Sequence, residues 1–326
     1  MTESFTEKSK ETQAKWPDLN YHQWKSTCET LHRWIQIVGK IRLSKSPWVN
    51  HGWQTTLYVM ERGLTTSVIH DDNISFSIEF DFEAHELRIP RNNGNVLSFP
   101  LRSESVAVFY QRCISVLLEA GIDVKIFDHP NELGDALPFS KDEIHCTYDP
   151  LYANRFWCIL LQADRLMKIF RSRYIGKVSP VHFFWGSMDI AVSRFSGRRA
   201  PVHPGGIPHL PDVITQEAYS HEVSSCGFWP GNESFPTPAF YSYAYPKPDG
   251  FERCSVPEGA FYHETLGEFI LPYEIVKNAS NPDNLVFEFF QKTYEAAAES
   301  GRWPRDILEN STCLEILQKK SHCKSW

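Results

Sequence analysis

The stretch His182-Phe183-Phe184-Trp185-Gly186-Ser187-Met188-Asp189-Ile190-Ala191-Val192-Ser193-Arg194-Phe195-Ser196-Gly197-Arg198-Arg199 decides how this chain is read. It reads as a single apolar, aromatic strand, yet it also carries His182, Asp189, Arg194 and Arg198. An ionised side chain taken into an apolar layer costs on the order of several kcal/mol unless it is paired and hydrogen-bonded. A strand of this composition therefore pairs its charges or uses them, which makes it the first place to look for a site.

Working outward, the text around this strand repeats. Gly39-Lys40 matches Gly176-Lys177 at the end of a helical segment, and Ser46-Pro47 with Trp53 matches Ser179-Pro180 with Trp185. The counterpart strand is then Gln54 to Gly63, with Arg62 aligned to Arg194 and Pro90 to Pro246. Phe99-Pro100 answers Leu271-Pro272, and Phe109-Tyr110-Gln111 answers Phe289-Phe290-Gln291 ahead of Gly121 and Gly301. The common order of these matches predicts an internal duplication of a helix, about four antiparallel strands and a helix, packed about a pseudo-twofold axis. The fold class is α+β.

Local patterns agree. Leu31, Trp34, Ile35, Val38 and Ile41 lie on one stripe at helical spacing, in a helix capped by Ser26 or Thr27 and running to about Arg42. His32, Gln36 and Lys40 form a second, polar stripe that is either a solvated face or the wall of a cleft. Ile74 to Phe82 alternates with period two, and Asn92-Asn93-Gly94 marks a hairpin between Glu86–Pro90 and Val96–Leu101. Helices follow at Ser103–Ala120, from Asp149-Pro150 to about Ile175, and from Asn284 to Ser300. The chain divides into a disordered lead-in (1–15), a first repeat (16–127), a Pro-rich connector (128–150), a second repeat carrying the candidate site (151–302) and a tail (303–326).

Composition narrows the function classes. The net charge of −7 argues against nucleic-acid binding, which calls for a basic face. No apolar run approaches the roughly 20 residues of a membrane helix, and Met1–Ala14 lacks the apolar core of a signal peptide. A cytoplasmic protein without nucleic-acid or membrane partners is expected. The 8 cysteines are scattered without a C-x-x-C pair, so they read as small buried residues rather than a disulfide scaffold or a cysteine zinc site.

Phe184-Trp185-Gly186-Ser187, Arg194-Phe195-Ser196-Gly197-Arg198-Arg199, Ser220-His221-Glu222-Val223-Ser224-Ser225 and Gly227-Phe228-Trp229-Pro230-Gly231 resemble a bacterial family of about 300 residues. Asn50-His51 and Arg62-Gly63-Leu64-Thr65-Thr66 belong to the same pattern, which spans roughly Trp16 to Trp303. That family is a domain of unknown function, so the resemblance implies no activity and no cofactor.

Candidate chemistry must then come from the residues. His182, His221, Glu222 and Asp189 include the ligand types of a mononuclear metal site, but His221 and Glu222, as neighbours on a strand, point to opposite faces. Ser220-His221-Glu222 contains triad residue types that sequence neighbours cannot assemble. Arg194, Arg198 and Arg199, with Lys40 and Lys177, can bind an anion, or Arg194 and Arg198 can form structural ion pairs with Asp189 or Glu222. The loop Arg198–Pro211, with His203, Gly205-Gly206 and His209, reads as a surface loop or lid, and Tyr241, Tyr243 and Tyr245 share one strand face. The leading expectation is an enzyme acting on a small anionic molecule, aromatic or not, between the two repeats. Arg194, Ser196 and Arg198 hold the anion, and Trp185, Trp229 and Tyr241 wall the site. His221 is the general acid/base, tuned by Glu222 or Asp189, and Tyr243 orients the substrate. The competing expectations are a non-catalytic small-molecule binder or sensor and a metalloenzyme using His182 and His221.

Overall fold

In a computed structural model, residues 15–310 are described, apart from Asp135 and Pro208. The expected lead-in and most of the tail (1–14 and 311–326) lie outside the described residues.

Helix α1 spans Tyr21–Lys45 and begins five residues before the expected caps: the side chain of Asn20 accepts from the backbone N–H of His22. Ser26 and Thr27 are therefore interior residues, and Thr27 and Thr30 instead accept the backbone N–H groups of Asp149 and Thr147. The apolar stripe Leu31, Trp34, Ile35, Val38 and Ile41 is fully buried, and Arg42 and Lys45 in the last turn complement the helix dipole. A short 3-10 segment, Asn50–Thr55, then leads into a meander of strands β1 (Thr56–Met60), β2 (Gly63–Thr65), β5 (Glu79–Asp81), β6 (Glu86–Pro90) and β7 (Val96–Pro100). The small hairpin β3 (Ile69–Asp71) and β4 (Ile74–Phe76) stands apart from it. Helix α2 (Val106–Glu119) closes the first half.

The second half opens with α3 (Pro150–Ser172), whose N-cap Asp149 accepts from Leu151 N–H. Strands β8 (His182–Phe184), β9 (Asp189–Arg199), β10 (His221–Trp229), β11 (Ala239–Tyr245), β12 (Phe261–His263) and β13 (Glu268–Pro272) follow, with the short helix α4 (Asp212–Ala218) between β9 and β10. Helices α5 (Tyr273–Asn278), α6 (Pro282–Ser300) and α7 (Arg305–Leu308) complete the described chain.

The two meanders fuse into one antiparallel sheet of 11 strands, ordered β12-β13-β11-β10-β9-β8-β1-β2-β5-β6-β7. They meet at the β1–β8 pair, with Thr56 opposite Phe184 and Leu57 opposite Phe183. Register places Leu57, Phe183, Ile190, Phe228, Phe240 and Leu271 in one row across six strands, all buried. Aromatic contacts Phe156–Phe183 and Phe240–Phe290 seat α3 and α6 on that row. This apolar row is the core's spine, because a sheet face this hydrophobic must be covered by helices.

Two expectations are corrected here. His182–Arg199 is not one strand but a hairpin: the chain turns at Trp185–Met188, where Met188 takes a left-handed φ of 62° and donates its N–H to Phe184 C=O. Nor does Gln54–Gly63 correspond to it residue for residue. Arg62 lies in the β1–β2 turn, ion-paired to Asp81 at 2.6 Å, whereas Arg194 is in the middle of β9.

Candidate functional site

The sheet face opposite the helices holds a cavity of about 450 Å³. Its floor follows from strand parity: Ala191, Gly227 and Tyr241 are register partners across β9, β10 and β11, and so are Ser193, Ser225 and Tyr243. Its walls come from both halves of the chain. Lys40 and Leu43 of α1, His51 and Trp53 of the 3-10 segment, Phe127 just ahead of the connector, Glu132 within it, and Trp185 of the hairpin turn all line it. Ile207, Leu210 and Pro211 of the Arg198–Pro211 loop also line it, as do Ile214 and Thr215 of α4. Asn131 Nδ2 links that loop to the cavity wall by donating to His209 C=O.

Asp189, at the start of β9, is buried and lines the cavity. Ser187 Oγ donates to one carboxylate oxygen and Tyr241 to the other. Burial raises its pKa above the usual carboxylate range against the opposing effect of those two donors. Glu132 lines the same cavity, with its carboxylate folded over the α-carbon of Gly186. Burial, and secondarily the Asp189 charge, pushes Glu132 up to about 7. Glu268 on β13 is raised to about 7 by the same two causes. The Asp189 charge thus acts on both glutamates, and no ion pair to any of the three is found among the described residues. Glu132 also holds a left-handed backbone, φ 62°, a conformation that costs a non-glycine residue on the order of 1 kcal/mol.

At the other end stands His51, also left-handed at φ 60°. Its Nδ1–H donates to Ala218 C=O (3.0 Å), which leaves Nε2 to accept from Lys177 Nζ at 2.6 Å. Burial lowers the His51 pKa, and the Lys177 charge lowers it further, so the ring is a neutral base near pH 7. The polar stripe of α1 is not a solvated face. His32 binds Gly186 C=O, Gln36 brackets the backbone of Asn131 by donating to its C=O and accepting its N–H, and Lys40 donates to Asn131 Oδ1.

The residues expected to form one site are divided by the sheet. Asp189, Trp185, Tyr241 and Tyr243 line the cavity, and the three tyrosine hydroxyls of the β11 face find Asp189, Tyr219 and Pro201 C=O. Arg194 lies on the helix face, its guanidinium 3.4 Å from the Phe170 ring centroid and 4.2 Å from that of Tyr294, donating to Phe170 C=O. Ser196 and Arg198 form a bulge on β9 opposite Glu222, and both bond its Oε2, at 2.7 and 2.8 Å. Arg198 also donates to the carbonyls of Gly301 and Arg302 at the end of α6. Arg198 and Glu222 therefore make the structural ion pair that was the alternative to anion binding, and Glu222 faces a separate cavity of about 430 Å³.

Trp229 stacks on Phe235 without lining the main cavity. His221 packs against His51, ring centroids 5.8 Å apart, is hydrogen-bonded to Ser220 Oγ, and is not among the residues that line the cavity. His182 is buried among Trp53, Tyr58 and Phe184, with neither ring nitrogen hydrogen-bonded, and is pushed down to about 3 by burial and then by Arg42 and Arg171. Among the described residues, no three His, Cys, Asp or Glu side chains converge to hold a metal ion.

Residues 16–310 match the model described as a family of unknown function, DUF5996. The chain belongs to the DUF5996 family. The match covers both halves of the sheet, and with them every element that walls the cavity. No curated protein and no solved structure matches this DUF5996 chain. Function must therefore be argued from the cavity itself, where sequence reasoning lacked Glu132, Tyr219 and His51 as site residues. Glu132 lies in an aperiodic connector, and only the α1 polar stripe pointed toward this wall.

Proposed function

We propose that this protein is an enzyme carrying out general acid/base chemistry on a small, largely apolar molecule bound in the 450 Å³ cavity. The observation that carries the reading is Glu132, an unpaired carboxyl group poised at about 7 beside the buried Asp189. A carboxyl group that is half protonated near neutral pH both donates and accepts a proton readily, and aromatic walls keep bulk water from competing. In this reading Asp189 and Glu132 replace His221 and Glu222 as the proton-carrying pair. His51 walls the far end, its Nδ1–H donating to Ala218 C=O and its Nε2 accepting from Lys177, so neither ring nitrogen serves as the base. The substrate's anionic character loses its support, because Arg194 and Arg198 face away; aromatic character keeps it, from Trp53, Trp185, Tyr241 and Tyr243.

One observation favours the non-catalytic alternative. Both oxygens of Asp189 already accept hydrogen bonds, as in a group that shapes a binding floor rather than one that exchanges protons. A thermal-shift screen of small aromatic compounds, followed by turnover assays on the hits, separates the two. Glu132→Gln should reduce kcat on the order of 10²- to 10⁴-fold while changing ligand affinity only a few-fold. Hits that bind but are never turned over, with affinity unaltered in Glu132→Gln, would leave only the binder.

The internal duplication belongs to the same proposal. Each half runs helix, meander, helix, and the meanders start from the antiparallel β1–β8 pair and proceed outward in opposite directions, as two copies about a twofold would. A cytoplasmic setting is part of the same proposal, supported by the buried thiols Cys28, Cys113 and Cys226 standing outside any disulfide.

A further inference from the structure

Lys40 ends the polar stripe of α1 with its side chain buried, the whole residue being only 6% exposed. It lines the cavity, and its Nζ lies 5.4 Å from the Trp185 ring centroid and 5.5 Å from that of Phe127. Its hydrogen-bond acceptor is an amide, Asn131 Oδ1, and among the described residues it has no ion pair with a carboxylate. Buried lysines are normally paired, since the ammonium is the more strongly hydrated of the basic groups. Burial alone brings this amine down to about 8. Lys177 is not equivalent: its Nζ is spent on His51, and it stands behind that ring rather than in the cavity wall.

We propose that Lys40 is a nucleophile that forms an imine with the carbonyl group of an aldehyde or ketone bound in the cavity. The free amine attacks the carbonyl carbon, the C–N bond forms, and the π pair moves to oxygen, which takes a proton from a cavity carboxylic acid. After nitrogen releases its proton to the resulting carboxylate, the carbinolamine hydroxyl is protonated again and departs as water while the nitrogen lone pair closes the C=N bond. No oxidant or reductant is consumed. A lysine desolvated among aromatic rings supplies the amine, and Glu132, raised to about 7 in the same cavity, supplies the proton at each protonation step. The inference rests on the acid/base reading of Asp189 and Glu132, and it narrows the substrate class to a small carbonyl compound with an apolar body.

The test uses the full chain, benzaldehyde as probe and sodium cyanoborohydride to trap any imine, with benzylated lysines located by peptide mass spectrometry. At pH 8, Lys40 should be modified at least about tenfold faster than the exposed Lys168 and Lys292, because a far larger share of its amine is unprotonated. Its rate should pass through a maximum between about 7 and about 8, where the amine is being freed while the acid still holds its proton, and the cavity modification should vanish in Lys40→Arg. Modification of Lys40 no faster than of Lys168 overturns the proposal, in the wild-type protein and so independently of whether any variant folds. Benzyl alcohol, the same ring without the carbonyl, separates the failures. If it raises the melting temperature while Lys40 is not selectively trapped, the imine falls and the cavity stands. If neither compound engages the protein, the imine falls and the cavity reading with it. If Lys40 is trapped as fast in Glu132→Gln and Asp189→Asn as in the wild type, the lysine stands and the acids lose their role.

Discussion

Tyr241 donates its phenolic hydrogen to Asp189 across the cavity floor, from β11 to the first residue of β9, over the side-chain-free Gly227 between them. Burial raises the pKa of both groups; it keeps Tyr241 a phenol that donates, while the Tyr241 and Ser187 hydrogen bonds oppose the rise at Asp189. The pair fixes where β9 begins and which way its odd-numbered residues face. Structure and site are joined at this point.

Removing the Tyr241 hydroxyl tests how much the pair contributes. Tyr241→Phe keeps the ring but leaves a buried carboxylate oxygen without its donor, which should cost about 1–3 kcal/mol in urea unfolding at pH 7. Asp189 should titrate still higher in that variant. The loss should shrink when measured near pH 5, where more of the carboxyl is protonated; an equal loss at both pH values would mean that Tyr241 acts only by packing.

The raised carboxyl of Glu132 makes a signed prediction about pH. Its pKa is 4.5 in the unfolded chain and about 7 in the folded one. The folded state thus binds the proton more tightly, and the associated stability is complete below about 4.5 and is lost as pH rises through about 7. Discounted for partial solvent contact, Glu132→Gln should remove on the order of 1–2 kcal/mol of the stability difference between pH 5 and pH 8. Glu268, displaced the same way, should retain a similar share. A Glu132→Gln protein that keeps the full wild-type stability difference between pH 5 and pH 8 would contradict the sign.

On the opposite face, Arg198 should matter for stability and not for the cavity. Its guanidinium joins Glu222 to the last carbonyls of α6 on a partly exposed surface. Arg198→Ala should cost about 1 kcal/mol through the lost helix cap and ion pair. Ligand affinity measured by calorimetry should stay within twofold. A tenfold loss of affinity would mean that the two faces of β9 communicate.

Much of this arrangement is legible in the sequence, for reasons that also mark where reading stops. The α1 stripe and the Asn92-Asn93-Gly94 hairpin are visible because local periodicity and turn chemistry report them directly, whereas the Ile74–Phe82 alternation, read as one strand-like run, is divided between β4 and β5 in separate sheets. The division of the candidate site was legible too. Asp189 and Arg194 differ by an odd number of residues on one strand and so face opposite ways. What hid it was reading His182–Arg199 as a single strand valued for its charges. Arg194 resolves its buried charge with aromatic ring faces and a carbonyl rather than an acid, a solution that leaves no mark on the strand's own text. Glu132 reaches the cavity from a connector whose path is set by Gln36 and Lys40 gripping Asn131, contacts separated by 95 and 91 residues in sequence. No local pattern encodes contacts of that range.

The last prediction concerns the link between α1 and the cavity wall. A β-carbon at Gly39 would overlap the pyrrole ring of Trp185, which lies flat against the helix there and forms part of the cavity lining. Helix propensity favours alanine over glycine by about 1 kcal/mol, so an open site would be stabilised by Gly39→Ala. Here the ring must move, and because it is held between α1 and the hairpin turn, overpacking should cost about 1–3 kcal/mol and outweigh the propensity gain. The displaced indole also leaves its position beside Lys40 Nζ, so the aromatic enclosure that lowers the lysine's pKa is disturbed in the same step. Gly39→Ala should therefore be less stable than wild type by thermal melting, weaker for aromatic ligands and slower in benzaldehyde trapping at Lys40. A variant as stable as the wild type with unchanged trapping would show that Trp185 has room to swing aside, and that α1 positions the lysine without help from the indole.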